Sequence, residues 1–334
     1  MSKQLILAML KERQKEQQKE YLSGEVMSER LGISRAAVNK AVNGLRQDGY
    51  QIESAPRKGY QLLASPDFLT KGEILPWLEI EQVGEPLLCL DTVDSTNSYL
   101  KRESQNLPAG AVLVANQQTE GRGRLGRLFH SPENTGVYLS VLLKPELAPA
   151  RALNLTAYVA VAVCEAIERA TGLIPGIKWT NDLVLGGRKI CGILTEMAIE
   201  GESGALQYVI PGIGVNVNEA PEDFPEEIRP VAGSLAMAAG RKLPRGRLAA
   251  EMINSLDRMY ISWCAGSGDY LERYRKACLT IGKEVQVLHA GEAPRPAFAE
   301  GVDENFGLMV RYPDGYRETI TAGEVSVRGL WGYV

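Results

Sequence analysis

The chain has 334 residues, of which 45% are hydrophobic and 23% are charged, and it carries a net charge of −4. This composition is typical of a soluble globular protein and excludes the collagen-like, disordered and disulfide-framework classes. The length exceeds one ordinary hydrophobic core, so roughly two or three domains are expected.

The sequence shows neither the apolar length expected of a membrane span nor a signal-peptide pattern. Its longest apolar stretch, 157–167, is short and is interrupted by Glu165. We therefore expect a cytoplasmic protein that makes no contact with a membrane. The five cysteines form no CxxC pair, and with two histidines they cannot assemble a zinc site at standard spacings, so we interpret them as reduced thiols.

Charge is distributed unevenly along the chain. Residues 1–64 hold eleven Lys and Arg against seven Asp and Glu, whereas the rest of the chain holds 26 against 34. Such asymmetry is typical of a nucleic-acid-binding module attached to an acidic enzyme, although an ordinary solvated surface would also explain it.

Apolar spacing predicts three helices near the N-terminus. The first carries a stripe that includes Ile6 and Leu10, and the second spans 23–31 and ends in a turn at Gly32. The third begins after Ser34, which stands at an N-cap position, and ends before Gly49. Two helices joined by a short glycine turn are typical of a helix-turn-helix.

Two short strands, 50–53 and 60–63, follow the helices and enclose a basic tip at 55–59, which completes a winged helix. Polar and basic side chains on the third helix could reach phosphates and base edges in a major groove, with the tip on the DNA backbone. The alternative is a helical hairpin used only for packing. The predicted DNA-binding residues are Ser34, Arg35, Asn39, Lys40, Asn43, Arg46, Arg57 and Lys58.

A strand at 87–90 leads into the polar sequence 94–97 and then into a helix. A helix start at the end of a strand presents free N–H groups and hydroxyls to a small polar ligand. Ser95 or Thr96 could equally be a plain N-cap.

The run 118–127, between the predicted strands 111–115 and 137–143, alternates three glycines with three arginines. Glycine permits close backbone approach, and arginine offers paired donors to carboxylates and phosphates. We therefore predict a mobile loop that closes over an anionic ligand, and we call residues 118–129 the clamp loop. The alternative, a disordered RNA-binding tract, is disfavoured because this run is short and flanked by strands. The GxxxxGK[ST] pattern is absent, so any ATP is held without a P-loop.

Two further clusters follow. In the first, the sequence 178–182 precedes two predicted strands that are joined by a Gly186-Gly187 turn. Lys189 lies at the start of the second strand. In the second, 211–216, alternating glycines end an apolar strand, and we expect them to leave room for a flat ligand against the backbone.

The order of these motifs resembles that of the biotin protein ligases over essentially the whole chain. The motifs are Asp94-Ser95-Thr96-Asn97, Gln118-Thr119-x-Gly121-Arg122-Gly123-Arg124-x-Gly126-Arg127, Lys178-Trp179-x-Asn181-Asp182, Arg188-Lys189-x-x-Gly192-Ile193 and Gly212-x-Gly214-x-Asn216. With its winged helix, the chain resembles the bifunctional form, a ligase that is also the repressor of the biotin operon. Leu125 departs from relatives that have Arg there, and Phe129 stands where an aromatic wall, sometimes Trp, covers the adenylate.

The resemblance implies an α+β fold with a winged helix-turn-helix, a central mixed β-sheet with helices like that of class II synthetases, and a small C-terminal SH3-like β-barrel. Five short strands predicted from residue 284 onward agree with the last part. We predict a winged-helix domain at 1–65, a linker at 66–82, a catalytic domain at 83–280 and a barrel at 281–334.

The resemblance also implies the site residues. Those implied for biotin are Ser95, Thr96, Asn97, Gln118, Arg122, Gly123, Arg124, Lys189, Gly212 and Gly214. Those implied for ATP or the adenylate are Arg124, Arg127, Phe129, Lys178, Asn181, Asp182, Asn216 and Arg328. Lys189, Arg124 and Asp182 are the expected catalytic residues.

The implied reaction joins biotin and ATP as biotinyl-5'-AMP and then transfers biotin to a lysine of the biotin carboxyl carrier protein of acetyl-CoA carboxylase. Mg²⁺ would screen the polyphosphate, with Asp182 as a ligand, and the adenylate-bound form would dimerise on operator DNA. Two alternatives stay open: a lipoate or octanoate ligase of the same fold, and a regulator that binds biotin and DNA without catalysis.

Overall fold

The computed structural model describes residues 2–15, 21–201, 203–289, 293–321 and 325–329, without the side chains of 14, 15, 289 and 325–329. The N-terminal part contains helices α1 (Ser2–Lys15), α2 (Gly24–Leu31) and α3 (Arg35–Gln47), followed by strands β1 (Gln51–Ala55) and β2 (Gly59–Ala64). Beyond them lie α4 (Lys71–Ile74) and a 3₁₀ turn at Leu75–Trp77.

The predicted winged helix-turn-helix is confirmed. Ser23 and Ser34 cap α2 and α3 by accepting hydrogen bonds from Glu25 N and Ala37 N, and Gly32 ends α2 with a left-handed φ of 61°. The antiparallel hairpin β1–β2 forms the wing. One hydrophobic cluster, which includes Ile6, Met27, Val38, Val42 and Leu62, is the core of this unit.

The segment predicted as a linker is packed against both of its neighbours. Leu69 and Ile74 are buried. Lys11 of α1 forms a buried ion pair with Glu73 of α4. Further along, Asp67 accepts a hydrogen bond of 2.8 Å from Nε of Arg245, whose side chain is fully buried. The winged helix therefore meets the rest of the chain through fixed contacts, while the exact domain limits stay a prediction.

The central part is a seven-stranded mixed sheet in the order β3-β4-β5-β9-β8-β7-β6. Its strands are β3 (Leu87–Val93), β4 (Val112–Gln118), β5 (Val137–Val141), β6 (Gly176–Lys178), β7 (Asp182–Leu185), β8 (Arg188–Ile199) and β9 (Leu206–Val215). Only β3 and β4 pair in parallel. The predicted glycine turn joins β7 to β8, with φ values of 57° at Gly186 and 74° at Gly187.

Helices cover the sheet. They are α5 (Thr96–Arg102), α6 (Pro149–Ala152), α7 (Leu155–Thr171), α8 (Leu235–Ala239), α9 (Arg245–Ala265) and α10 (Tyr270–Ala277). Helix α7 packs against both the sheet and α9, and its apolar residues belong to the main core. The helical segment Pro149–Thr171 is long and apolar enough to cross a membrane. The apolar stretch 157–167, considered alone, did not suggest this. In the fold, however, 56% of the 18-residue window that meets this criterion is buried. Packing in the core explains this composition.

The C-terminal part contains β10 (Glu284–His289), β11 (Arg295–Val302), β12 (Leu308–Arg311), β13 (Arg317–Ile320) and β14 (Val325–Gly329), in an antiparallel sheet ordered β13-β12-β11-β10-β14. The five predicted strands are confirmed. Within the described ranges β13 and β14 lie at opposite edges, so closure into an SH3-like barrel stays a prediction. The α+β class and the order of the three units are confirmed.

Candidate functional site

The candidate site is a cavity of about 670 Å³ on the face of the sheet opposite α7. Every residue that the sequence assigned to biotin or to the nucleotide lines this cavity, apart from Arg328. Arg328 lies in β14 opposite Gln286, and its side chain is outside the described residues. Segments more than a hundred residues apart in sequence thus meet in one place.

A buried polar network closes one end of the cavity. Ser95 caps α5, so the capping alternative holds for this residue, and its side chain is also part of the cavity wall. Gln118 Oε1 accepts hydrogen bonds from Thr96 N at 2.9 Å and Thr96 Oγ1 at 3.1 Å, and its Nε2 donates to Ser131 Oγ at 2.9 Å. Ser140 Oγ lies 2.6 Å from Thr96 Oγ1. This network fixes donors and acceptors at a closed end, which suits a small uncharged polar ligand.

The glycines of β9 do not leave room for a flat ligand, contrary to our expectation. A Cβ on Gly212 would lie 2.0 Å from Asn97 Oδ1, and one on Gly214 would lie 2.3 Å from the Phe129 ring. These two side chains fill the space above the strand. The close approach therefore serves packing inside the protein, and Asn97 and Phe129 line the cavity beside the two glycines.

The clamp loop is a short hairpin. Backbone hydrogen bonds run from Phe129 N to Gly121 O at 2.8 Å and from Gly123 N to Arg127 O at 2.7 Å. Its tip carries Leu125 at a positive φ of 56°. Leu125 and Leu128 are 66% and 82% exposed on this hairpin, so both leucines are accessible to solvent.

Positive charge from the clamp loop and from β8 converges at the centre of the cavity. Arg124 NH1 donates to Asn181 Oδ1 at 2.8 Å, and Lys189 Nζ lies 2.6 Å from Asp182 Oδ1. Burial lowers the pKa of the Arg124 guanidinium, Asp182 opposes this shift, and Arg127 adds to it. The arrangement can neutralise two anionic groups at once.

A second segment, 217–234, lies over the other side of the cavity. Lys189 and residues 231 and 233 exchange backbone hydrogen bonds of 2.8 and 2.9 Å. Asn216 Nδ2 donates to Gly233 O at 2.9 Å. The side-chain amide that was predicted to bind the nucleotide therefore holds this segment in place. His130 Nε2 lies 2.8 Å from Asp223 O, so the residue that directly follows the clamp loop contacts the segment.

Sequence reasoning assigned no role to two residues that hold the site together. Glu196 contacts both Asn97 and Arg122, and the available signal was an acidic residue among the mostly apolar residues of the second half of β8. Trp179 is buried, and its Nε1 donates to Phe306 O at 2.9 Å, which ties the 178–182 sequence to the C-terminal sheet. Nothing local in the sequence indicates the second contact.

The predicted DNA-binding residues lie on α3 and on the wing tip. Arg35, Asn39, Lys40, Asn43, Arg57 and Lys58 are exposed, as is the capping Ser34. Arg46 differs, because its Nε and NH2 donate to Ile52 O at 2.9 and 2.8 Å. Its guanidinium joins α3 to the wing, so the structure gives it a role in shaping the unit.

Comparison with known proteins gives matches to both parts of the chain. A model described as the biotin/lipoate A/B protein ligase family matches residues 89–216, and one described as an HTH domain matches residues 3–61. The bifunctional ligase/repressor BirA of Bacillus subtilis is 40% identical over 242 residues, which are 72% of this chain and 74% of that protein. The protein of the same description from Escherichia coli is 32% identical over 92% of this chain and 94% of its own length.

A solved structure is also similar. The biotin protein ligase from Aquifex aeolicus in complex with biotin and ATP matches with a TM-score of 0.62 and 31% identity, over 73% of this chain and 99% of that one.

Proposed function

This chain belongs to the biotin protein ligase family, in its bifunctional ligase/repressor form, and we propose that it activates biotin with ATP and transfers the biotinyl group to a lysine of a carrier protein. The observation that carries the proposal is that the residues implied for both substrates, apart from Arg328, line one cavity, and that Lys189 and Arg124 are among them. A volume of about 670 Å³ lies within the usual range of ligand pockets.

Biotin would lie at the end of the cavity that the Thr96–Gln118 network closes. Its carboxylate would then point toward the centre, where Lys189 and Arg124 lie. Phe129, packed on Gly214, is an aromatic surface against which the adenine side can pack. Arg127 and the 178–182 sequence also line the cavity and would meet the phosphates.

The first step brings a carboxylate to the α-phosphate of ATP. A carboxylate oxygen of biotin bonds to the α-phosphorus, and the bond from that phosphorus to the leaving pyrophosphate breaks. Both reactants are anions, so positive charge held in place by the protein is the main catalytic requirement. Lys189 and Arg124 supply this charge, and the ion pair with Asp182 fixes the direction of the Lys189 side chain.

In the second step the neutral amine of the acceptor lysine attacks the biotinyl carbonyl carbon, and AMP leaves with the electron pair of the broken anhydride bond. The amine must lose a proton, and Asp182 is the carboxylate placed to orient it or to accept that proton. The clamp loop, closed over the adenylate, would protect it from water until the acceptor arrives.

A divalent ion, Mg²⁺, would have one carboxylate ligand in this site, that of Asp182. No group of three or more His, Cys, Asp or Glu able to hold a metal occurs in the described part of the chain. Mg²⁺ is commonly held by one or two carboxylates together with substrate phosphates and water. Asp182 would hold it directly or through water, and the ion would screen the charge of the polyphosphate.

The winged helix would bind operator DNA, and the adenylate-bound chain would dimerise to place two such units on a two-fold site. The acceptor would be the biotin carboxyl carrier protein of acetyl-CoA carboxylase, which together with ATP indicates a cytoplasmic reaction. Sedimentation that shows the same association with and without biotin and ATP would exclude ligand-dependent dimerisation.

The decisive experiment is the intact mass of a carrier domain after incubation with the protein, ATP and either biotin or lipoate. We expect one biotinyl group on one lysine and no lipoyl group. Lipoyl transfer alone would favour a lipoate ligase. Biotin binding by calorimetry without any mass change would favour a regulator that lacks catalysis.

A further inference from the structure

The side chain of Glu196, in β8, connects two elements at the Asn97 end of the cavity. Its Oε2 accepts a hydrogen bond from Asn97 Nδ2 at 3.0 Å, and its Oε1 lies 3.2 Å from Arg122 NH1. The Glu196 side chain is 22% exposed and that of Arg122 is 48% exposed. One carboxylate thus holds the start of α5 and the base of the clamp loop.

The contact with Asn97 determines which way its amide faces. Nδ2 also donates to Leu194 O at 3.2 Å, and Oδ1 lies 2.6 Å from Ser140 Oγ. If the amide were reversed, its oxygen would face the carboxylate of Glu196 and a carbonyl oxygen. Because Ser140 also contacts Thr96, Glu196 acts through Asn97 on the polar network that closes the cavity.

The contact with Arg122 determines where the clamp loop lies. Arg122 forms an isolated bridge with Leu128 inside the clamp hairpin, so holding its side chain holds the base of that hairpin against β8. Ordinary ion pairs of this exposure contribute little to global stability. A small free energy is nevertheless enough to shift the balance between open and closed states of a loop.

We propose that Glu196 is a positioning residue that couples the position of the clamp loop to the orientation of the Asn97 amide. That the ligand is biotin rests on the proposed function. The contact between Glu196 and Arg122 forms without any ligand. Binding of biotin at the Asn97 end would then favour the clamp-loop position that the contact between Glu196 and Arg122 holds.

Chymotrypsin provides a readout of the clamp loop that needs no ligand, because Leu125 and Leu128 are exposed at its tip. We expect Glu196→Gln to raise cleavage after these leucines about two- to fivefold, as loss of a partly exposed ion pair allows. Glu200→Gln, an exposed carboxylate further along the same β8–β9 hairpin, is the matched control and should cleave like the wild type.

Arg122→Ala should raise cleavage to the same extent, and the double variant Arg122→Ala with Glu196→Gln should cleave no faster than either single variant. Equal cleavage in the wild type and Glu196→Gln, or additive effects in the double variant, would overturn the coupling.

Steady-state kinetics test the effect on the ligand end. Glu196→Ala should raise KM for biotin about tenfold or more, since it removes a charged hydrogen-bond acceptor, and should change KM for ATP much less. Glu196→Gln retains an acceptor for Asn97, so its KM for biotin should lie between those of the wild type and Glu196→Ala. Equal losses toward both substrates would indicate a merely structural role and contradict the proposal. If the wild type made no adenylate, the proposed function would fail, and the cleavage comparison would still decide the contact with Arg122.

Discussion

The ammonium group of Lys189 lies 2.6 Å from Asp182 Oδ1, across the tight hairpin of β7 and β8. Their side chains are only 28% and 15% exposed, so water screens the pair incompletely. Asn181 Nδ2 also donates to Asp182 Oδ1 at 3.2 Å. The amine is therefore held at the centre of the cavity before any substrate arrives.

This arrangement predicts that Lys189→Ala loses adenylate synthesis with little change in fold. Removing one charge-stabilising group typically costs about 10²- to 10³-fold in kcat. The measurement is pyrophosphate release with biotin and ATP, with the exposed Lys242→Ala as the control. Release near the wild-type rate in Lys189→Ala would remove this residue from the mechanism.

Gly212→Ala should destabilise the protein by about 1–3 kcal/mol, the usual cost of overpacking. The new Cβ would collide with Asn97 Oδ1, which has no free space to move into because Ser140 and Glu196 hold the amide. Urea unfolding measures the loss, and biotin affinity should fall with it. Gly201→Ala is the control, since no atom lies within 4 Å of the added Cβ. Equal midpoints for the two variants would show that Asn97 can move at no cost.

Glu219 predicts a pH dependence of stability. Its side chain is 1% exposed, one carboxylate oxygen lacks a hydrogen-bond partner, and burial raises the pKa to about 7. Because the folded state then binds the proton of Glu219 more tightly than the unfolded chain does, protonated Glu219 contributes to the stability of the fold at pH 4 to 5. This contribution is lost as pH rises through 7.

Glu219→Gln should therefore be more stable than the wild type at pH 8, by roughly 2–3 kcal/mol, and equal to it near pH 5. Urea unfolding at both pH values checks this, with the exposed Glu222→Gln as the control. A constant difference between Glu219→Gln and the wild type at the two pH values would contradict the raised pKa.

The wing and the third helix predict a salt-dependent affinity for DNA. Lys40→Ala and Lys58→Ala each remove one exposed positive charge, and each should lower the slope of log affinity against log salt by about 1. Binding of a fixed duplex across a salt series measures both slopes. Lys101→Ala on α5 is the control and should leave the slope unchanged. If the slope were the same in the wild type, Lys40→Ala and Lys58→Ala, the winged helix would not bind DNA through this face.

The sequence alone determined the local structure and the chemical character of the site. Ser34 and Val38 predicted α3 because capping and apolar spacing act within a few residues. The Gly186-Gly187 turn likewise predicted the hairpin of β7 and β8, since only glycine adopts those φ values readily. The resemblance carried by the motif order implied residues that line the cavity, and each motif keeps its polar side chains together in sequence.

Only the tertiary structure decided how those residues are used. Gly212 and Gly214 make room for Asn97 and Phe129, Arg46 holds the wing, and Glu196 joins Asn97 to the clamp loop. These partners lie far apart in sequence or on different strands, so no local pattern specifies them. Strand order and packing bring them within hydrogen-bond distance, and the free energy of burying polar groups requires that they be paired there.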